Sequence, residues 1–315
     1  MFDLIVIGSG PIGIAMAREA AHNNLKVALI DKGPLLGAMY RYPTHMTFFS
    51  TSENISICGI PFPCKDARPS RFDALEYYRL VATHPNIEWF LYNEVTDIQG
   101  CKGDFTIQTK KKSLKAKVVV VATGFFDHSQ NLQVPGEDQP HVTHFFTDGH
   151  AYAGLKTLII GGANSAVIAA LECWRHGADV TLVHRRNNFR DDIKYWLRPD
   201  IENRIKEGSI KVHWNTEVSE IKENEVVLKS NQEMIKLEID NIIALTGYRS
   251  NFKWLLDNDI ELNELHQPLL NVNSFESVSR QGVYLAGCVL CGDITNDLFI
   301  ENGRDHVQSI IKEIV

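Results

Sequence analysis

No stretch of the sequence reaches the roughly 18 to 20 consecutive apolar residues that a membrane-spanning helix needs. The start at Met1 also lacks a basic segment leading into an apolar stretch and a cleavage site, so a cytoplasmic protein with no membrane partner is expected. Basic charge is short as well. The 32 Lys and Arg stand against 39 Asp and Glu, leaving a formal charge of −7, and nucleic acid is not an expected partner. Six cysteines, at 58, 64, 101, 173, 288 and 291, are too sparse to staple 315 residues together. The fold must rest on apolar burial, and any disulfide among them is expected to be redox-active. The spacing of Cys58 and Cys64 does not suit a zinc knuckle, and no metal site is expected. Low-complexity linkers and tandem repeats are missing too.

What is present is a strand, glycine turn, helix and strand, twice. Phe2 to Ile7 is a continuous apolar run, the pattern of a strand covered on both faces of a parallel sheet. Gly8-Ser9-Gly10-Pro11-Ile12-Gly13 follows at once and opens an alanine-rich helix that runs to about Asn23, with proline tolerated in its first turn. The run from Lys26 to Asp31 returns as strand. In such a turn the first glycine allows the bend, the second lets backbone approach a pyrophosphate, and the third lets helix and strand pack closely. Asp31 ends the second strand, where a carboxylate accepts from ribose hydroxyls.

The second unit spans Lys156 to Arg186, with Gly161-Gly162-Ala163-Asn164-Ser165-Ala166 at the turn. Its second strand ends not in an acid but in His184-Arg185-Arg186, followed by Arg190. A carboxylate there would repel a 2′-phosphate, whereas guanidinium groups bind one through paired charge-assisted bonds, so NADPH is expected over NADH. A solvated basic patch would give the same residues. Two such units imply two nucleotides, an FAD in the first and NADPH in the second, with hydride passing from nicotinamide to flavin. Two glycine-ended apolar runs, Val118 to Gly124 and Ile242 to Gly247, mark crossings between one domain and an insertion, and Val283 to Gly287 is expected to rejoin the first sheet.

With these residues in place the chain resembles the thioredoxin-reductase-like flavoproteins over nearly its whole length. His184 to Arg190 is close to their NADPH-selecting motif. Tyr42-Pro43-Thr44-His45-Met46-Thr47-Phe48-Phe49-Ser50, Asn164-Ser165-Ala166 and Phe299-Ile300-Glu301-Asn302-Gly303 resemble the bacillithiol-disulfide reductases within that group. The resemblance implies an α/β fold of two Rossmann-like dinucleotide-binding domains, each with three ββα layers. The NADPH domain, 125–246 with its connecting segment, would be inserted into an FAD domain made of 1–124 and 247–315. It also implies a homodimeric NADPH oxidoreductase that reduces a small thiol disulfide or a redox protein. The FAD residues are then Gly8, Gly10, Pro11, Gly13, Asp31, Lys32, Tyr42, His45, Thr123, Gly124, Gly287 and Asp293. The NADPH residues are Gly161, Gly162, Asn164, Ser165, Ala166, His184, Arg185, Arg186 and Arg190.

Two departures stand out. Thioredoxin reductases carry a Cys-x-x-Cys in the NADPH domain, where this chain has only Cys173, and the bacillithiol group often has a cysteine inside the first glycine motif, where this chain has Ile12. Instead Cys288-Val289-Leu290-Cys291 follows Ala286-Gly287, where related flavoproteins place an aspartate. A helix beginning near Cys291 would favour its thiolate, and the pair would cycle between dithiol and disulfide. Two small residues packed under a cofactor fit the sequence equally well. His45 is a candidate proton donor or a structural histidine. Ferredoxin- or flavodoxin-NADP reductase chemistry, flavin monooxygenation and a nucleotide-sensing binding module are the competing functions.

Overall fold

Phe2–Ile7 forms β1, and five of its six residues are buried. Because strand side chains alternate between faces, a strand apolar at nearly every position must be covered on both sides. The computed structural model describes every residue except Gln232. It divides into unit 1 (1–40, 46–128 and 248–315) and unit 2 (41–45 and 129–247).

In unit 1, β1 is followed by helix α1 (Pro11–His22), which starts on Pro11 and buries Ile14, Ala17 and Ala21, and by strand β2 (Val27–Ile30). Short helices α2 (Gly37–Tyr40) and α3 (Ser52–Ile55) lead to α4 (Arg71–Ala82). The start of α4 is set locally: Ser70 Oγ accepts from Asp73 N–H, and the Asp73 carboxylate accepts from Ser70 N–H in return. Strands β3 (Ile87–Phe90), β4 (Val95–Cys101), β5 (Asp104–Thr109) and β6 (Ser113–Val121) complete the first part.

Unit 2 contains β7 (Val142–Thr143), β8 (Lys156–Ile160), α5 (Asn164–Arg175), β9 (Asp179–His184), α6 (Arg198–Lys206) and β10 (Lys211–Trp214). It closes with β11 (Thr216–Ile221), β12 (Glu225–Ser230), β13 (Glu233–Glu238) and β14 (Asn241–Ala244). The chain then returns to unit 1 with α7 (Phe252–Asp257), β15 (Val283–Leu285), α8 (Ile300–Gly303) and α9 (Asp305–Ile314).

The two units share one plan. Unit 1 orders its parallel strands β3-β2-β1-β6, and β15 pairs with the end of β6 through Val283 and Val119. The start of β6 pairs instead with β5, antiparallel, through Phe105 and Ala116. One nine-residue strand thus belongs to both a parallel sheet and a meander. Between those layers Ile5, Ile7, Val119 and Leu285 meet Ile98, Phe105 and Ile107. Unit 2 orders its parallel strands β10-β9-β8-β14-β7 and keeps β11-β12-β13 as a separate antiparallel sheet. Ile159, Leu182 and Ile243 pack on α5, while Leu158, Val183 and Ile242 turn to Val226 and Leu228 of the meander. Each unit is therefore helix, parallel sheet and meander, and each buried side chain of this size contributes about 1.5 to 3 kcal/mol.

The expected return of 283–287 to the first sheet is seen in β15. The exits fall at 128/129 and 247/248, a few residues past Gly124 and one past Thr246, and a further excursion at 41–45 joins unit 2. That excursion is held by Thr44 N–H donating to Thr147 O at 2.8 Å and by the Arg41 guanidinium over the Phe145 ring.

Asn258 fastens the returning chain of unit 1 to β4. Its Oδ1 accepts from Ile98 N–H at 2.7 Å, its Nδ2 donates to Trp254 O at 2.8 Å, and the side chain is 1% exposed. Replacing Asn258 by Ala strands a buried N–H, which costs about 1–3 kcal/mol. We expect the Asn258→Ala protein to show that loss in urea unfolding, and an unchanged midpoint would show that water replaces the bond.

Candidate functional site

The first glycine turn is built by close backbone approach. Gly8 has φ +108, and a Cβ there would stand 2.4 Å from Ala122 O, on the exit of β6. A Cβ on Gly13 would stand 1.9 Å from Gly8 O. Gly10 differs, since a Cβ there meets nothing within 4 Å. It opens onto the start of α1, which has no side-chain cap and no acid in its first turn. Unsatisfied N–H groups with the positive end of a helix dipole, facing open space, fit a pyrophosphate.

Asp31 does more than wait for a ribose. One carboxylate oxygen accepts from Ser9 N–H at 2.7 Å and from Ser9 Oγ–H at 2.8 Å; the other accepts from Gly33 N–H at 2.8 Å. The acid therefore ties the glycine turn to the end of β2, a role for Ser9 that the sequence pattern did not reveal. Lys32 is ion-paired with Asp127 at 2.9 Å. Thr123 sits against the turn, its N 2.9 Å from the Cβ position of Gly8, whereas a Cβ on Gly124, at φ +65, would meet nothing within 4 Å. Gly287, at φ +75, packs on Ile12 of α1 and donates its N–H to His306 Nδ1 at 3.1 Å. Burial lowers the pKa of His306, so its imidazole stays a neutral acceptor. Asp293 turns elsewhere, with its carboxylate 2.8 Å from His266 Nδ1. Tyr42 and His45, named for the flavin, lie in the 41–45 excursion that belongs to unit 2.

In unit 2, α5 likewise starts without a side-chain cap or a first-turn acid, and Ala163 stands where unit 1 has its middle glycine. Gly161, at φ +145, approaches Leu245 O, with a Cβ position 2.6 Å away; Ala166 stands 3.0 Å from the same point. Gly162 has a reason the sequence hid: the His184 ring fills its side, 2.4 Å from where a Cβ would be. His184 is 9% exposed, and burial, then the charges of Arg185 and Arg186, lower its pKa. It forms a neutral wall of the turn.

Of the three arginines, only two remain open. Arg185 and Arg186 are exposed, with no side-chain ion pair among the described residues. Arg190 is held by both oxygens of Asp192, at 3.1 and 2.8 Å, and its N–H donates to Gly162 O. Asn164 is also spent internally, since its side chain donates to Asp192 O and accepts from Lys194 N–H. Ser165 is exposed at the start of α5.

Cys288 and Cys291 lie on one 3-10 turn, Gly287–Cys291. This corrects the expected helix start at Cys291: that residue ends the turn, Gly292 follows at φ +56, and the next helix is α8. With three residues per turn, positions i and i+3 eclipse, which sets the two cysteines on one side of the turn. The Cys288 thiol has Leu298 O at 3.2 Å. The neighbouring sulfurs act on each other, raising the pKa of Cys288 and lowering that of Cys291.

Comparison with known proteins matches the pyridine nucleotide-disulphide oxidoreductase family across residues 5–287. The chain is 37% identical to the bacilliredoxin reductase Bdr of Bacillus subtilis, covering 98% of this chain and 96% of that one. The solved bacillithiol disulfide reductase Bdr of Bacillus cereus shares 33% identity at a TM-score of 0.95, over 99% of this chain and 98% of that one. A ferredoxin–NADP reductase of Lactococcus lactis is 27% identical over 90% of this chain and 85% of its own length. The paired nucleotide units and this full-length likeness together make the chain a member of the pyridine nucleotide-disulphide oxidoreductase family, an FAD- and NADPH-dependent disulfide oxidoreductase of thioredoxin-reductase-like fold.

Proposed function

We propose that the protein reduces a low-molecular-weight thiol disulfide of the bacillithiol type, with NADPH bound by unit 2 and FAD by unit 1. The observation that carries this reading is the opposite chemistry at two matched places. An acid follows β2 and a pair of open arginines follows β9, each beside an uncapped helix start. A ribose hydroxyl suits the first and a 2′-phosphate the second. In unit 1, Gly8, Gly10, Gly13 and Asp31 would hold the pyrophosphate and ribose, and Gly287 the far side of the same turn. In unit 2, Gly161, Gly162 and the start of α5 would hold the pyrophosphate, and Arg185 and Arg186 the phosphate. Bound there, the flavin supplies hydride uptake from NADPH and two-electron delivery to an acceptor.

The acceptor follows the relatives. One is a reductase of bacilliredoxin and another of bacillithiol disulfide. The second reading, electron transfer to a ferredoxin-like carrier, draws on the Lactococcus lactis relative. The proposal also takes the protein as a cytoplasmic homodimer, as the resemblance to thioredoxin-reductase-like flavoproteins implies.

Removing both arginines, in Arg185→Ala with Arg186→Ala, should lower kcat/KM for NADPH relative to NADH by about 10- to 100-fold, since a bond to a charged group contributes about 1.5–3 kcal/mol. Steady-state kinetics with the two coenzymes measure it, and an unchanged ratio would make the arginines a solvated patch. In anaerobic mixing, NADPH should bleach the flavin absorbance and bacillithiol disulfide should restore it. Restoration by ferredoxin alone would select the electron-transfer reading. Light scattering should give a mass near twice 35.6 kDa; a monomer would remove the dimer from the proposal.

A further inference from the structure

We propose that Cys288 and Cys291 form an internal dithiol/disulfide redox centre that hands electrons to the external disulfide. This rests on the reading of the chain as an NADPH-dependent disulfide reductase and adds the residues through which it acts.

Four features of unit 1 converge on the pair. Its two cysteines occupy eclipsed positions, i and i+3, of a single 3-10 turn. The turn is bracketed by two glycines at positive φ, each closely approached by a distant residue. A Cβ on Gly292 would stand 2.2 Å from Leu265 O, and one on Gly287 3.0 Å from Ile12. The turn also starts beside the nucleotide corner, because Ile12 lies in the first turn of α1, and Ala286 N–H donates to Val121 O at the end of β6. Finally, His306 holds Gly287 by its Nδ1 and stacks on Phe275 with ring centroids 4.3 Å apart, so the residue before Cys288 is anchored from α9.

The other four cysteines lack this arrangement. Cys173 is buried, with its pKa pushed up to about 12 mainly by that burial. Burial also holds Cys58 protonated, beside Ala15 O. Cys64 donates to Asp66 O, and Cys101 is exposed on β4. The Cys288 thiol donates to the Leu298 carbonyl at 3.2 Å.

The chemistry balances as follows. In the oxidised protein one Cys288 Sγ–Cys291 Sγ bond joins the pair. Two electrons and two protons, which NADPH would supply by way of the flavin, break that bond to two thiols. One of them, as thiolate, attacks an external disulfide RS–SR′, forming a mixed disulfide and releasing R′S⁻. The second thiolate attacks the enzyme sulfur of the mixed disulfide, re-forms the Cys288–Cys291 bond and releases RS⁻. The sum is NADPH, a proton and RS–SR′ giving NADP⁺, RSH and R′SH.

The test uses the full-length flavin-loaded protein. Of its six cysteines, the air-oxidised form should take up iodoacetamide, after denaturation, at Cys58, Cys64, Cys101 and Cys173 only. Anaerobic treatment with NADPH before denaturation should expose Cys288 and Cys291 as well, read by peptide mass spectrometry. The NADPH titration should consume two equivalents per flavin, falling to one in Cys288→Ser with Cys291→Ser, where turnover of bacillithiol disulfide is also lost. Alkylation of all six cysteines in the oxidised protein overturns the proposal. So does protection that tris(2-carboxyethyl)phosphine lifts but NADPH does not, provided NADPH bleaches the flavin. If NADPH fails to bleach it, the broader reading fails on that observation, while comparing the untreated with the phosphine-treated protein still reports whether the pair forms a disulfide; six alkylated cysteines in the untreated protein sink the pair independently.

Discussion

Backbone meets backbone with no side chain between them where β1 turns into α1. A methyl group on Gly13 would be driven to 1.9 Å from the Gly8 carbonyl oxygen, and one on Gly8 to 2.4 Å from Ala122 O. Strand, helix and the exit of β6 therefore converge at a corner that only glycine allows, and the first turn of α1 faces outward with its N–H groups unpaid by any side chain. The rest of unit 1 is arranged around that corner: Asp31 grips it from β2, Thr123 abuts it from β6, and Gly287 closes on Ile12 from the far end of the chain. Unit 2 repeats the corner with other means. Gly161 approaches Leu245 O, and the His184 ring occupies the side that Gly162 leaves empty.

Charge then distinguishes two corners of the same shape. In unit 1 the carboxylate after β2 spends three acceptor positions on Ser9 and Gly33, so it is rigid before any ribose arrives. In unit 2 Asp192 takes Arg190 out of the basic group, and Arg185 and Arg186 are left as the open cations. Preorganisation of this kind lowers the ordering cost of binding. The paired Arg190 helps to shape the loop that follows β9, rather than adding a third open charge to it.

The proposed dithiol obeys the same economy of geometry. A Cys-x-x-Cys on an α-helix would set its side chains about 60° apart around the axis, whereas a 3-10 turn eclipses them. The structure adopts the tighter turn where Gly287 and Gly292, both at positive φ, bracket it. His306 carries the constraint further, because a buried neutral imidazole accepts the Gly287 N–H that a protonated ring would repel.

Much of this was legible in the chain itself. The apolar runs of β1 and β2, the glycine turn, the alanine-rich helix and the change from Asp31 to Arg185-Arg186 are local patterns, and local patterns survive in sequence because neighbouring residues determine them. The repeated unit, the insertion and the return of Val283 to Leu285 followed from those patterns and the parallel-sheet rules. What sequence could not supply were partnerships between residues far apart in the chain. Asp31 with Ser9, Lys32 with Asp127, Arg190 with Asp192, Asp293 with His266 and Gly287 with His306 depend on loop conformation and tertiary approach. The 3-10 form of the cysteine turn was also decided there, since its bracketing glycines are held by Ile12 and Leu265, which are distant in sequence and adjacent only once the sheet has formed.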